Sequence, residues 1–187
     1  TPGHPRGSVP DVSSQPDAPP PDLVIRAAVR DDVDVVLSFI RQLAEYEQLG
    51  SEVEATREAL EATLFGPRPA AEVLIARVAG RDVGFALFFG TYSTFLASPC
   101  MHLEDLFVVP EARGQGIGRA LLASVARVAD ARGCGRLQWN VLTWNAPALA
   151  FYRRLGAFSL DDWQTFRLNR QGLQALAASG IAATPRP

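Results

Sequence analysis

Leu103-Glu104-Asp105-Leu106-Phe107-Val108-Val109-Pro110-Glu111-Ala112-Arg113-Gly114-Gln115-Gly116-Ile117-Gly118-Arg119 holds the most informative pattern in the chain. Its first half alternates and is rich in Val and Phe, as a strand should be, and beyond it Leu121, Val125 and Val128 recur at helical spacing as far as Arg132. The segment therefore reads as strand, glycine turn, helix. Such a turn directs backbone N–H groups outward at a helix N-terminus, where unpaired donors and the positive end of the macrodipole favour an anion. Gly114, Gly116 and Gly118 would let a phosphate approach the backbone closely and allow positive φ. Arg113 and Arg119 add positive charge at the rim.

Spacing separates three phosphate-binding loops. A Walker loop needs Gly-Lys-Ser/Thr after its second glycine, and the chain contains no Lys. A dinucleotide fingerprint beginning at Gly114 needs glycine at position 119, where Arg stands, and should follow its strand directly. What fits is Arg113-x-x-Gly116-x-Gly118, which resembles the (Arg/Gln)-x-x-Gly-x-Gly/Ala loop of the GNAT superfamily of N-acetyltransferases. The resemblance implies that the run Arg113, Gly114, Gln115, Gly116, Ile117, Gly118 and Arg119 holds the pyrophosphate of acetyl-CoA.

With 187 residues, 48% of them hydrophobic, the chain is long enough for one domain with a sizeable core. A net charge of −2 and a pI near 5.7 give no basic footprint for nucleic acid, and all 18 positive charges are Arg. No apolar run reaches the ~18 residues of a membrane span, so no membrane partner is expected. Cys100 and Cys134 make no disulfide framework, and neither has metal-ligand spacing with His4 or His102. No metal and a reducing cytoplasm are expected. Residues 1–21 are rich in Pro and Ser, lack aromatics and lack the apolar core of a signal peptide, so they read as a disordered tail. Residues 177–187 read likewise, leaving 22–176 as the folded domain.

Within that domain, Leu23 to Arg26 reads as a short strand. Asp31 or Asp32 caps a helix whose apolar stripe is Val36, Ile40 and Leu43. Four residues on, the stripe brings in Glu47, which either has reached solvent or, with Tyr46, faces a pocket that receives a cation. Thr56 opens a second helix ending at Gly66-Pro67. Strands follow at Glu72 to Val78 and Val83 to Gly90, then a loop from Thr91 to Pro99 leads into the central strand. After the long helix come a strand from Arg136 to Leu142, a helix capped by Asn145 with Pro147 in its first turn, a last strand from Trp163 to Leu168, and a short helix. The pattern β-α-α-β-β-β-α-β-α-β-α is α/β (α+β): a mixed, mostly antiparallel sheet with helices on both faces.

Four separated runs sharpen the resemblance: Gln42 to Glu47, Leu103 to Val108, the glycine loop, and Trp144-Asn145-x-Pro147 followed by Phe151 to Ala157. Together, over about residues 23–176, they resemble the diamine acetyltransferases of the superfamily, the spermidine/spermine and thialysine N-acetyltransferases. The resemblance implies the GNAT fold, acetyl-CoA as donor, a small-molecule amine as acceptor and a homodimer. It places the pantetheine arm along the backbone of Leu106, Phe107 and Val108 and along Asn145, Ala146, Pro147 and Ala148. The acceptor falls to Tyr46, Glu47, Glu104, Gln138, Trp139 and Asn140. The resemblance also assigns the base or water relay to Glu104 and puts the Tyr152 hydroxyl at the cofactor sulfur. The segment between Gly156 and Trp163 is shorter than in the spermidine/spermine enzymes, which leaves open whether Asp161 or Asp162 reaches a second ammonium.

The chemistry asks for the same parts. A primary alkylammonium has a pKa of about 10.4, so at neutral pH roughly one molecule in a thousand is a free amine, and a base is needed. Glu104 and Asp105 are adjacent on a strand, so regular alternation lets only one face a given pocket. Backbone N–H groups freed where the central strand bulges or splays would serve the oxyanion. A thiol pKa near 8.5 against a tyrosine near 10 makes full proton transfer from Tyr152 uphill by roughly 2 kcal/mol, so its hydroxyl serves mainly as a hydrogen-bond donor to sulfur. Neither His neighbours a Cys or Ser in any motif, which favours direct attack over an acyl-enzyme. Three functions remain: acetylation of a small amine, acetylation of protein or peptide amines, and a CoA-binding module without turnover. Glu104 with Tyr152 argues against the last, and Glu47 favours the first.

Overall fold

One sheet carries strands β1 (Val24–Ala27), β2 (Glu72–Val78), β3 (Arg81–Ser93), β4 (Ser98–Val108) and β5 (Leu137–Trp139), lying side by side in chain order. All neighbours are antiparallel except β4 and β5, which are parallel, as the expected mixed sheet requires. The structure, a computed structural model, describes residues 18–180. Positions 1–17 and 181–187, most of the two expected tails, lie outside the described residues.

The helices are α1 (Val33–Tyr46), α2 (Arg57–Leu64), α3 (Ile117–Ala131), α4 (Ala146–Arg154) and α5 (Arg170–Ala178). Phe39 of α1 stacks on Phe85 at 5.5 Å between ring centroids and meets Phe107 at 6.0 Å, so α1 covers the sheet face that bears these two cross-strand partners. Gly118 of α3 lies against Val108, which alternation assigns to the opposite face. Buried Ile75, Phe85, Phe88, Met101, Leu103, Leu121 and Val125 fill the two layers between. Strands covered on both sides need apolar residues at nearly every position, and this explains the continuous apolar runs of β2 and β3. None of the described helices is long and apolar enough to cross a membrane.

Side-chain caps appear where the sequence placed them at Thr56 and Asn145, which accept the N–H groups of Ala59 and Ala148, both at 3.2 Å. At α1 the expectation is corrected. Asp32 makes no cap bond into the helix; its carboxylate takes the Val29 N–H at 2.7 Å and both terminal nitrogens of Arg26 at 2.6 and 2.7 Å, closing the turn that joins β1 to α1. Much of the expected Thr91–Pro99 loop is strand, because β3 and β4 continue as a hairpin to the pair Ser93–Ser98. β5 is only three residues long.

The last strand, Trp163 to Leu168, does not form. A strand needs a partner for its backbone groups, and among the described residues none pairs with the outer edge of β5. Trp163 and Phe166 stay 71% and 89% exposed.

One irregularity matters most. Along the β3–β4 hairpin Leu87 lies opposite Asp105 but the next residue, Phe88, lies opposite Leu103, so Glu104 has no partner across the ladder. This is a β-bulge, an extra residue in one strand that bends it and re-aims its side chains.

Candidate active site

β5 pairs with β4 only across Met101–Leu103. From Glu104 onward β4 is bonded on its β3 side and not on the other, and the sheet splays open. The opening is a cavity of about 600 Å³ walled by the end of α1, β4 from His102 to Val108, the glycine turn, the end of β5 and α4.

The glycine turn forms one wall. Gly114 and Gly116 have φ of 74° and 72°, the left-handed region that a side chain disfavours. Gly116 is the N-cap of α3 and no side chain caps that helix; the first intrahelical bond runs from the Ala120 N–H to the Gly116 carbonyl, so the N–H groups of Ile117, Gly118 and Arg119 precede it. All three residues line the cavity. Gly118 departs from expectation, since its φ is not positive and an added Cβ would meet Val108 at 3.8 Å, an ordinary contact. Arg113 is more than a rim charge. Its Nε donates to the Val108 carbonyl at 2.9 Å and its guanidinium covers the Tyr46 ring at 4.6 Å, tying the loop to both β4 and α1.

The facing wall is α4 with the end of α1. Buried Asn145 accepts from both the Ala148 N–H and the Tyr46 hydroxyl, each at 3.2 Å, so one side chain caps α4 and fixes it against α1. Tyr152 packs on Trp139 at 4.9 Å and on Phe151 at 5.0 Å. Burial, reinforced by the charge of Glu47, pushes its phenol up to about 12. The hydroxyl therefore keeps its proton at neutral pH and acts as a hydrogen-bond donor.

Three carboxylates line the same cavity. Glu47 follows α1 and lines the cavity, and burial raises its pKa, which decides between the two readings of this residue: it faces the pocket. Glu104 and Asp105 both line the same cavity, contrary to the expectation from alternation. The bulge is the reason. Phe85, Leu87 and Phe89 alternate onto the α1 face, as do their partners Phe107, Asp105 and His102, while the unpaired Glu104 lies 3.5 Å from His102. Both acids thus emerge on one side. Desolvation first, then the charges of Glu104 and Glu47, raise Asp105 from 3.8 to about 7.

Most of the sequence-selected residues line this cavity: Tyr46, Glu47, Glu104, Leu106, Phe107, Val108, Arg113, Gly114, Gly116, Ile117, Gly118, Arg119, Trp139, Asn140, Pro147, Ala148 and Tyr152, together with Asn145. Gln115, Gln138 and Ala146 do not. The Gln115 amide turns back to the Glu111 carbonyl, and Gln138 alternates away from its neighbour Trp139. Asp161 and Asp162 are exposed and outside the cavity. Missed were Asp105, His102, Arg154 and Arg167, which also line it. Only Asp105 carried a signal, as one of a pair of adjacent acids before the glycine turn.

The acetyltransferase (GNAT) family model matches residues 39–157, which include α1 from Phe39 onward, the bulged strand, the glycine turn and α4. The chain belongs to the GNAT family. It is an acetyl-transferring enzyme whose relatives act on amines. The thialysine N-epsilon-acetyltransferase of Bos taurus is 38% identical over 166 residues, covering 83% of this chain and 97% of that protein. The L-ornithine N5-acetyltransferase of Arabidopsis thaliana is 30% identical, covering 81% and 86%. Among solved structures, an integron cassette protein of V. cholerae superposes with a TM-score of 0.70 at 28% identity, covering 83% of this chain and 98% of that one.

The raised pKa of Asp105 makes a stability prediction. The folded state holds this proton more tightly than the unfolded chain, so the cost of the carboxylate is absent below about pH 4, grows as pH rises through 3.8 to about 7, and is constant above. The full displacement corresponds to about 4 kcal/mol, and solvent access at the cavity mouth reduces it. Asp105→Asn is therefore expected to stabilise the fold by about 2 kcal/mol at pH 8 and by nothing near pH 4. Urea titrations at the two pH values measure the difference.

Proposed function

We propose that the chain transfers acetyl from acetyl-CoA to a primary amine of a small cationic acceptor, a diamine, polyamine or thialysine-like amino acid, by direct attack in a ternary complex. One observation carries this reading: a single cavity is lined by an uncapped helix N-terminus and an unpaired strand edge and also by Glu47, Glu104 and Asp105. The first set suits the diphosphate and amide-rich arm of the donor. The second suits an ammonium group. The names of the thialysine and ornithine relatives support an acceptor that carries its amine on a short charged molecule.

In this scheme Ile117 to Arg119 and the glycine turn bind the diphosphate. The backbone of Leu106 to Val108 pairs with the pantetheine arm, and an N–H from this unpaired edge holds the developing oxyanion. Glu104, whose side chain is 55% exposed, draws in the ammonium and relays its proton to water. Glu47, Tyr46, Trp139 and Asn140 frame the acceptor. Tyr152 donates a hydrogen bond to the departing sulfur; with its phenol at about 12, full transfer to a thiolate near 8.5 is uphill, so it stabilises charge more than it moves a proton.

The protein acts as a homodimer in this reading. Phe158, Leu160, Trp163, Phe166 and Leu168 are all exposed, and the last three belong to the stretch that reads as a strand in the sequence and pairs with none of the described strands. A second copy of the chain supplies an apolar partner of matching composition.

Turnover of acetyl-CoA across putrescine, spermidine, thialysine, lysine, short peptides and aminoglycosides tests the acceptor class. Small molecules with a second charged group within a few bonds of the amine are expected to lead, and turnover confined to peptides would overturn the reading. Tyr152→Phe is expected to lower kcat by about 10–100-fold, the worth of a hydrogen bond to a charged group, with CoA affinity nearly unchanged. Light scattering is expected to give twice the chain mass, falling to one chain when Trp163 and Phe166 are both changed to Ser.

A further inference from the structure

We infer that Asp105 is the group that first takes the proton from the acceptor ammonium, with Glu104 beside it as the exit to solvent. The inference rests on the amine-acetylation reading above and adds a residue to it. The position comes from the bulge. A regular strand would have turned either Glu104 or Asp105 away; the unpaired Glu104 brings both onto the α1 face, with Asp105 held in the ladder opposite Leu87 and Glu104 swung toward His102 and the cavity mouth. The two acids consequently differ in setting. Glu104 is exposed, whereas Asp105 is a partly buried side chain walled by β3, β4 and α1.

Desolvation is what strengthens a carboxylate as a base. An ordinary aspartate near 3.9 lies more than six decades below an alkylammonium near 10.4, and a position at about 7 removes roughly half of that gap. The ammonium N–H bond breaks with its electron pair left on nitrogen, and the proton passes to a carboxylate oxygen of Asp105. Nitrogen then forms the C–N bond to the thioester carbonyl carbon. As the C–S bond breaks, sulfur leaves with the bonding pair, and the second proton lost from nitrogen neutralises it. Asp105 returns its own proton to water by way of Glu104, so one proton is released per turnover.

Other groups face the same space. Glu47 approaches from α1, His102 and Glu104 from β4 and Tyr152 from α4. The guanidinium groups of Arg113, Arg119, Arg154 and Arg167 on the cavity wall stay charged throughout, and Tyr152 titrates far above neutrality. Glu47, His102, Glu104 and Asp105 are therefore the groups among which an acid limb near neutral pH has to be assigned.

The test is kcat/KM for the best small amine from pH 5 to 10 in the wild type, Asp105→Asn, Glu104→Gln, Glu47→Gln and His102→Gln. The wild type is expected to rise along an acid limb centred near pH 7. Asp105→Asn is expected to lose that limb and about 10²–10³-fold of activity at pH 7, with the deficit shrinking above pH 9 as the acceptor deprotonates in solution. Glu104→Gln and Glu47→Gln are expected to keep the limb and move it to lower pH, because each removes a negative charge facing Asp105. In His102→Gln the limb persists. A limb that survives in Asp105→Asn and disappears in one of the other variants overturns the inference while leaving amine acetylation intact. A wild type that binds acetyl-CoA and acetylates no amine overturns the parent reading instead. Carboxyl carbon NMR gives a readout independent of turnover: one Asp signal titrating near 7, absent from Asp105→Asn, is expected, and its persistence in that variant contradicts the assignment.

Discussion

The site depends on a single slip of register. β3 and β4 form a long antiparallel hairpin, and where Leu87 faces Asp105 and Phe88 faces Leu103 one residue of β4 is surplus. That extra residue changes the direction of the strand and the side on which its acids emerge. Three pairs along the hairpin from the irregularity, Gly84 lies so close to β4 that a Cβ would come within 2.5 Å of the Phe107 carbonyl. Just beyond Leu103, β5 has already stopped pairing. Bulge and splay together produce a strand edge with free backbone groups and two carboxylates in one opening.

The surrounding parts hold this opening in shape. Arg113 reaches from the glycine turn to the Val108 carbonyl and lies on the Tyr46 ring; Tyr46 bonds Asn145; Asn145 caps α4; α4 carries Tyr152. The glycine turn, the end of α1 and α4 are thus connected through side chains that contact one another. Few of these residues need to touch a ligand to matter. The side-chain oxygen of Asn145 accepts from the Tyr46 hydroxyl and the Ala148 N–H and so places α4 against α1.

Much of this was legible in the sequence because its signals are local. Thr56, Asn145-x-Pro147 and the 114–118 glycines mark helix starts by short-range chemistry, and β2 was delimited by Glu72 and Val78 as observed. A charge continuing an apolar stripe singled out Glu47 but left solvent and pocket both open, and the fold places it on the cavity wall. The failures were non-local. Nothing in Leu103-Glu104-Asp105 announces a bulge, since the pairing partner that exposes it lies on β3, and the alternation rule therefore hid Asp105. Trp163 to Leu168 has the composition of a strand, but composition does not dictate pairing with the open edge of β5. Asp32 has the residue type of a helix cap, yet the bidentate Arg26 guanidinium offered its carboxylate a stronger partner.

On this reading the splayed edge of β4 and the uncapped start of α3 bound one cavity that seats the acetyl donor. Titration of the 15N-labelled chain with CoA, followed by amide chemical shifts, is the decisive measurement. The largest changes, and slowed hydrogen exchange, are expected at Leu106, Phe107, Val108, Ile117, Gly118 and Arg119. Changes concentrated away from these six amides, or none at millimolar CoA, would contradict it.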